Sequence, residues 1–130
     1  MDEAFDAVTN LAQLTTRRFE TPGGARGRPF RVLSSSPDGL QVRTSTGGRL
    51  RLRAEVFATA EKLLADLGAT EEDRWVFLKD EVLSGVLRGE NRDKAVSSYV
   101  FPLLEAAGRV EIERKRPARL RLIEGVSDEA

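Results

Sequence analysis

Residues 97–112 read SSYVFPLLEAAGRVEI, and the apolar period changes within them. Up to Ala107 the spacing is helical: Val96, Tyr99, Val100, Leu103, Leu104 and Ala107 fall on one face of a helix read over 92–107. Gly108 ends that helix, because glycine takes the left-handed closing conformation without steric cost. From there the period is two. Val110 and Ile112 face Leu120 and Leu122 across a tip reading Arg114-Lys115-Arg116-Pro117, the pattern of a hairpin over 109–123. Setting Ile112 opposite Leu120 also sets Glu113 opposite Arg119 and Glu111 opposite Arg121. These are two cross-strand ion pairs worth about 0.2–1 kcal/mol each. Arg114, Lys115 and Arg116 have no acid beside them in the hairpin, so they are expected to be exposed and available to phosphates.

Upstream, residues 80–88 read as a helix, with Gly89-Glu90-Asn91 as a tight turn before the next one. Residues 55–67 form another helix, with Val56, Ala60, Leu63, Leu64 and Leu67 as its stripe and Gly68 as its stop. Between them, Thr70-Glu71-Glu72-Asp73 has the look of a helix start while RWVFL fits a short strand; the strand is the preferred reading.

The order helix, short strand, helix, turn, helix, hairpin over residues 56–123 resembles a winged helix-turn-helix domain. In such domains the last helix typically ends in spaced leucines, a small residue and glycine before the first wing strand. The resemblance is to the fold and not to one particular family. It implies that the helix from Arg92 enters a major groove, with Arg92, Lys94, Ser97 and Ser98 facing outward near its start. Pro102 departs from the pattern, since a proline inside a helix removes a hydrogen bond and clashes with the preceding turn.

In the N-terminal half, Ala4, Phe5, Val8, Leu11, Ala12 and Leu14 predict a helix within 2–19. The following TPGGARGRP, residues 21–29, reads as a mobile linker, so 1–29 is taken as helix plus linker. Within it Arg26-Gly27-Arg28-Pro29 is similar to the core of an AT-hook, which lies along an A·T minor groove; its basic flanks are absent here. Residues 30–55 read as a three-stranded antiparallel sheet, with Phe30 and Val32, then Leu40 and Val42, then Leu50 and Leu52 alternating with polar neighbours. Taking Pro37-Asp38-Gly39 and Thr46-Gly47-Gly48 as three-residue loops pairs Ser34 with Val42 and Val42 with Leu52. The non-core face then carries Arg31, Arg43, Arg49, Arg51 and Arg53, with Ser35, Gln41 and Ser45 between them and Arg43 opposite Arg51. Like charges so placed destabilise a sheet unless an anion offsets them. The other way to offset them is cover by Asp2, Glu3 and Asp6 of the first helix, three carboxylates against five guanidinium groups.

Composition bounds what remains. The 130 residues carry 21 basic and 21 acidic side chains, so net charge is zero, but the distribution is uneven. Residues 17–53 hold nine arginines against Glu20 and Asp38, residues 54–113 hold seven bases and thirteen acids, and 114–123 hold five bases and no acid. An acidic tail, 124–130, follows. Without cysteine or histidine the chain lacks disulfides, thiolate metal sites and the commonest general base, and no cofactor is expected. The start MDEAFDAV is acidic where a secretory signal would be basic, and no apolar run reaches the length of a membrane span, so a cytoplasmic protein is expected. Pro37-Asp38 with Glu113-Arg114-Lys115 superficially resembles a nuclease carboxylate-lysine set, but a turn and a strand pair account for those residues, so catalysis is not expected.

The chain is therefore expected to be an α+β protein: helix, arginine-faced sheet, then winged helix. Its expected function is DNA binding, as a transcription regulator or accessory factor of DNA transactions, through Arg26, Arg28, the sheet arginines, Arg92, Lys94, Ser97, Ser98 and the basic tip. RNA is another possible ligand. The alternative is a non-catalytic adaptor docking on a protein partner, which exposed Trp75 and Phe101 would favour.

Overall fold

The computed structural model describes residues 3–22, 27–70, 72–91, 96–115 and 117–123. These form an α+β fold. Its order is α1 (Glu3–Thr9), β1 (Arg18–Glu20), β2 (Pro29–Ser36), β3 (Gly39–Arg43), β4 (Arg49–Arg53), α2 (Glu55–Gly68), β5 (Val76–Phe77), α3 (Glu81–Glu90), α4 (Ser97–Ala106), β6 (Val110–Glu113) and β7 (Arg119–Leu122). Strands β1-β2-β3-β4 make one antiparallel sheet in that order, and β5-β7-β6 make a second. No helix among the described residues is long and apolar enough to cross a membrane.

The N-terminal helix is shorter than its apolar spacing predicts. It ends at Thr9, whose hydroxyl donates back to the Asp6 carbonyl at 3.1 Å, and Gln13 adopts a positive φ of 59° that no helix tolerates. Leu14 is still buried, but through a turn and not a helical stripe. Next, Phe19 is buried between exposed Arg18 and Glu20, the alternation of a strand, and β1 pairs with β2 through Phe19 and Phe30. The sheet is therefore four-stranded and not three-stranded. The expected linker is the connection of a hairpin: the Thr21 amide donates to the Arg28 carbonyl and the Arg28 amide to the Thr21 hydroxyl, both at 2.9 Å. Residues 23–26 of that connection lie outside the described residues.

Turn chemistry also moves the register. In the β3–β4 hairpin the loop is Ser45-Thr46-Gly47, closed by Thr44 N–H to Gly48 O at 2.9 Å, and it is Gly47, at φ 91°, that takes the left-handed position expected of Gly48. Moving the loop by one residue slides the pairing by two, so Val42 faces Leu50 and Leu40 faces Leu52. In the β2–β3 hairpin Ser36 faces Gly39 across a two-residue turn, and a bulge at Leu33 brings Val32 opposite Val42. A two-residue slide keeps the side chains of β3, β4 and the first half of β2 on their expected faces. Beyond the bulge the slide is a single residue, so Ser34 pairs with outward Gln41 and Ser35, expected on the arginine face, with inward Leu40. For the arginines, the slide changes only which side chains are neighbours.

In the second half, α2 covers the four-stranded sheet along β4, and the short strand β5 forms where RWVFL predicts one. Asp80 caps α3 by accepting from the amides of Val82 (2.9 Å) and Leu83 (3.0 Å). The expected turn 89–91 is mostly helix, because α3 runs on to Glu90. The last helix begins at Ser97, five residues later than read, with 92–95 outside the described residues. It closes as expected at Gly108: φ is 77°, and Arg109 N–H to Leu104 O (2.9 Å) with Gly108 N–H to Glu105 O (3.0 Å) completes a Schellman motif. Pro102 sits inside α4 and is buried. The terminal hairpin has the register read from sequence, Glu111 facing Arg121 and Glu113 facing Arg119.

One buried cluster runs from Ala4 to Leu120 through both sheets. Helix α4 lies in its middle. Phe19 stacks on Phe30, whose ring meets Tyr99 edge-on at 5.1 Å, and Phe5 packs on Phe57. Buried Glu61 of α2 holds Arg109 at the start of β6 through two hydrogen bonds, of 2.5 and 2.9 Å, and Glu3 of α1 reaches the same guanidinium at 3.4 Å. These bonds, led by the one from Glu61, raise the Arg109 pKa above its ordinary value.

Candidate nucleic-acid interface

The inner face of the four-stranded sheet buries Phe19, Phe30, Val32, Leu40, Val42 and Leu52 against the helices, so the alternate side chains must point away from the protein. They are mainly arginines. Arg18 faces Arg31, Arg31 faces Arg43 and Arg43 faces Arg49, which makes one unbroken row across all four strands. Because Thr44–Gly48 and Thr21–Arg28 are bonded through their backbones, alternation makes Arg43–Arg49 and Arg18–Arg31 non-hydrogen-bonded pairs. Such pairs have Cα atoms about 4.5 Å apart, the closer of the two antiparallel spacings. Arg51 and Arg53 continue along β4, giving an L-shaped band.

All four arginines of the row, and Arg51, are exposed, and none of the five forms an ion pair or side-chain hydrogen bond among the described residues. Of the acids that could have covered them, Glu3 serves Arg109 and Asp6 forms no ion pair among the described residues, while Asp2 lies outside the described residues. Glu20, outward on β1 opposite Pro29, is the one carboxylate that the added strand brings to this face. Arg53 is half-buried, donating to the Glu90 carbonyl at 3.3 Å and lying 3.8 Å from Glu55. Beside β4 a cleft of about 580 Å³ is lined by Arg49, Arg51, Arg53 and Asn91 together with Leu50 and the carboxylates of Asp38 and Glu55. Asn91 is only 2% exposed and stands in for a neighbouring strand, accepting from Arg53 N–H and donating to Arg51 O, each at 2.8 Å. It holds the edge strand and its arginines in place.

The other expected contacts are less favourably placed. Arg114 is exposed but not free: its guanidinium binds Glu105 of α4 at 2.6 Å and the Glu20 carbonyl at 3.4 Å. The absence of an acid within the hairpin said nothing about acids brought to it by folding. Lys115 is 3.3 Å from Glu113, and Arg116 lies outside the described residues. As read, Arg119 binds Glu113 at 2.6 Å and Arg121 binds Glu111 at 2.8 Å. The Arg119 hydrogen bond, ahead of Lys115, lowers the Glu113 pKa. Both arginines also stack on Trp75, at 5.0 and 4.2 Å from its ring, which half-buries the indole.

Ser97 and Ser98 are half-buried at the start of α4, in a groove against α3. Arg92 and Lys94 lie outside the described residues, as does Arg26; Arg28 is exposed beside the β1–β2 connection. No residue of α4 is exposed: Val100 to Leu104 are buried, and Phe30 covers Tyr99. Of the face expected to enter a groove, Ser97 and Ser98 line the cleft with α3, and the next residue, Tyr99, packs edge-on against Phe30 of the sheet. Phe101 is fully buried, which removes it as a docking anchor. Arg18 is hidden in the sequence because the helical spacing of 4–14 reads on through it; the charged flanks of Phe19 in RRFE are the signal of the strand.

No family model, curated protein or solved structure was found to match this chain.

Proposed function

We propose that the protein binds DNA through the arginine face of its four-stranded sheet, as a regulator or accessory factor of DNA transactions. The observation that carries this reading is the row Arg18-Arg31-Arg43-Arg49: three directly opposed like-charge pairs, each unfavourable to folding by some tenths of a kcal/mol, exposed and without a carboxylate partner among the described residues. A polyanion supplies the missing charge, and displacement of its condensed counterions supplies the affinity. The succession α2-β5-α3-α4-β6-β7, with sheet order β5-β7-β6, supports the resemblance to a winged helix, which here acts as the scaffold.

Titrating labelled duplex DNA at several salt concentrations tests this. In the Arg43→Gln/Arg49→Gln/Arg51→Gln variant the slope of log affinity against log salt should flatten by about 0.9 per lost phosphate contact, with an unchanged or raised Tm. A variant that unfolds while its residual folded fraction binds normally would make these arginines structural and favour the adaptor reading.

A further inference from the structure

The outward face carries a restricted chemistry. Alongside the arginines stand Gln41 and serines, and Leu33, at 38% exposure, is its single exposed large apolar side chain among the described residues. Single-strand binders rely on aromatic platforms for unstacked bases, and this face has none. Base reading in a duplex needs a helix or ribbon projecting into a groove. Among the described residues the outward face of the sheet carries no helix, and α4 has no exposed residue. What is left is phosphate recognition by a stiff row of guanidinium groups. From Arg18 to Arg49 the row crosses three strand intervals, about 14 Å between the outer Cα atoms. That is close to the major-groove width of about 12 Å that separates two phosphate walls in B-form DNA. A single strand offers no second wall at a fixed distance.

We infer that the arginine row straddles a DNA duplex and holds its two phosphate backbones without reading the bases, so that the protein binds double-stranded DNA regardless of sequence. This rests on the sheet being the DNA-binding face, as proposed above. Arg18 and Arg49 engage opposite walls, while Arg31 and Arg43, between them, lie over the groove with their charge shared between the two.

Fluorescence anisotropy with three 20-nucleotide probes tests the inference: an A·T-rich duplex, a G·C-rich duplex and single-stranded oligo-dT. The two duplexes should bind within fivefold of each other and the single strand at least fivefold more weakly. Arg18→Gln/Arg49→Gln should bring duplex affinity down to that for the single strand, with circular dichroism confirming the fold. A sequence preference above fivefold, a single strand bound as tightly as a duplex, or duplex preference surviving in the double variant would each overturn it. Failure of the wild-type protein to bind any probe at low salt would instead defeat the underlying proposal of DNA binding.

Discussion

Glu61 and Glu113 show how differently two carboxylates answer to an arginine. Glu61 is 4% exposed and fully engaged by Arg109, so its removal leaves a guanidinium with little water to replace the lost bonds. Breaking such a pair by removing one partner costs about 3–5 kcal/mol when burial is complete; Arg109 retains some exposure, which places Glu61→Ala at the lower end. Thermal unfolding at pH 7 checks this, and a loss below 1 kcal/mol would show that the pair is dispensable. Glu113 sits at the surface, and its pKa is lowered chiefly by Arg119. A depressed carboxylate lends stability above its unfolded pKa and loses it as pH falls through the folded value. Glu113→Gln should therefore have a lower Tm than the parent at pH 7, with the difference closing below about pH 4. A gap that persists at pH 2 would show that the charge is not its cause.

The β-hairpins set which arginines meet. Gly39 is at φ 156°, and a Cβ there would run into the Leu52 carbonyl and the Arg53 Cα of the neighbouring strand. Gly39→Ala should destabilise by about 2 kcal/mol or more, since the obstacle is backbone. Gly47, at φ 91° with open space around it, should cost less on the same substitution, about 1 kcal/mol, from conformational strain alone. Chemical denaturation of both variants checks the ranking, and a reversed order would place the constraint in the other turn. The alternation of RLRLR made the arginine face of β4 readable in advance, because period two survives a two-residue slide. The identity of the opposing arginines was not readable, because the Arg43–Arg49 pair depended on which of two adjacent glycines, Gly47 or Gly48, took the left-handed position, and the Arg31–Arg43 pair on the bulge at Leu33.

Across the molecule, the contact of Phe30 with Tyr99 joins the four-stranded sheet to the helix at the centre of the core. With one buried cluster spanning both sheets, the chain should unfold in one step. Phe30→Ala, which empties the middle of that seam, should lower stability by about 3–5 kcal/mol. Calorimetry should show a single transition moved to lower temperature. Two transitions, with only one displaced, would mean that the sheet and the helical part melt separately.

Local pattern determined the α+β class, the hairpin 109–123 with both its ion pairs, the stop at Gly108 and the inward and outward faces of β3, β4 and the part of β2 before its bulge. Each follows from interactions within a few residues or from a strict period. Tertiary structure decided the rest. The spacing of residues 4–14 suits a helix throughout, but Phe19 gains more by adding a strand and stacking on Phe30, so β1 forms and contributes Arg18. Arg114 has no acid nearby in sequence, yet α4 brings Glu105 to it. The helix read as a reader of DNA has the right period, but how much of it is exposed depends on what packs around it, and α1, α2, α3, β1 and β6 leave none of Ser97–Ala106 exposed.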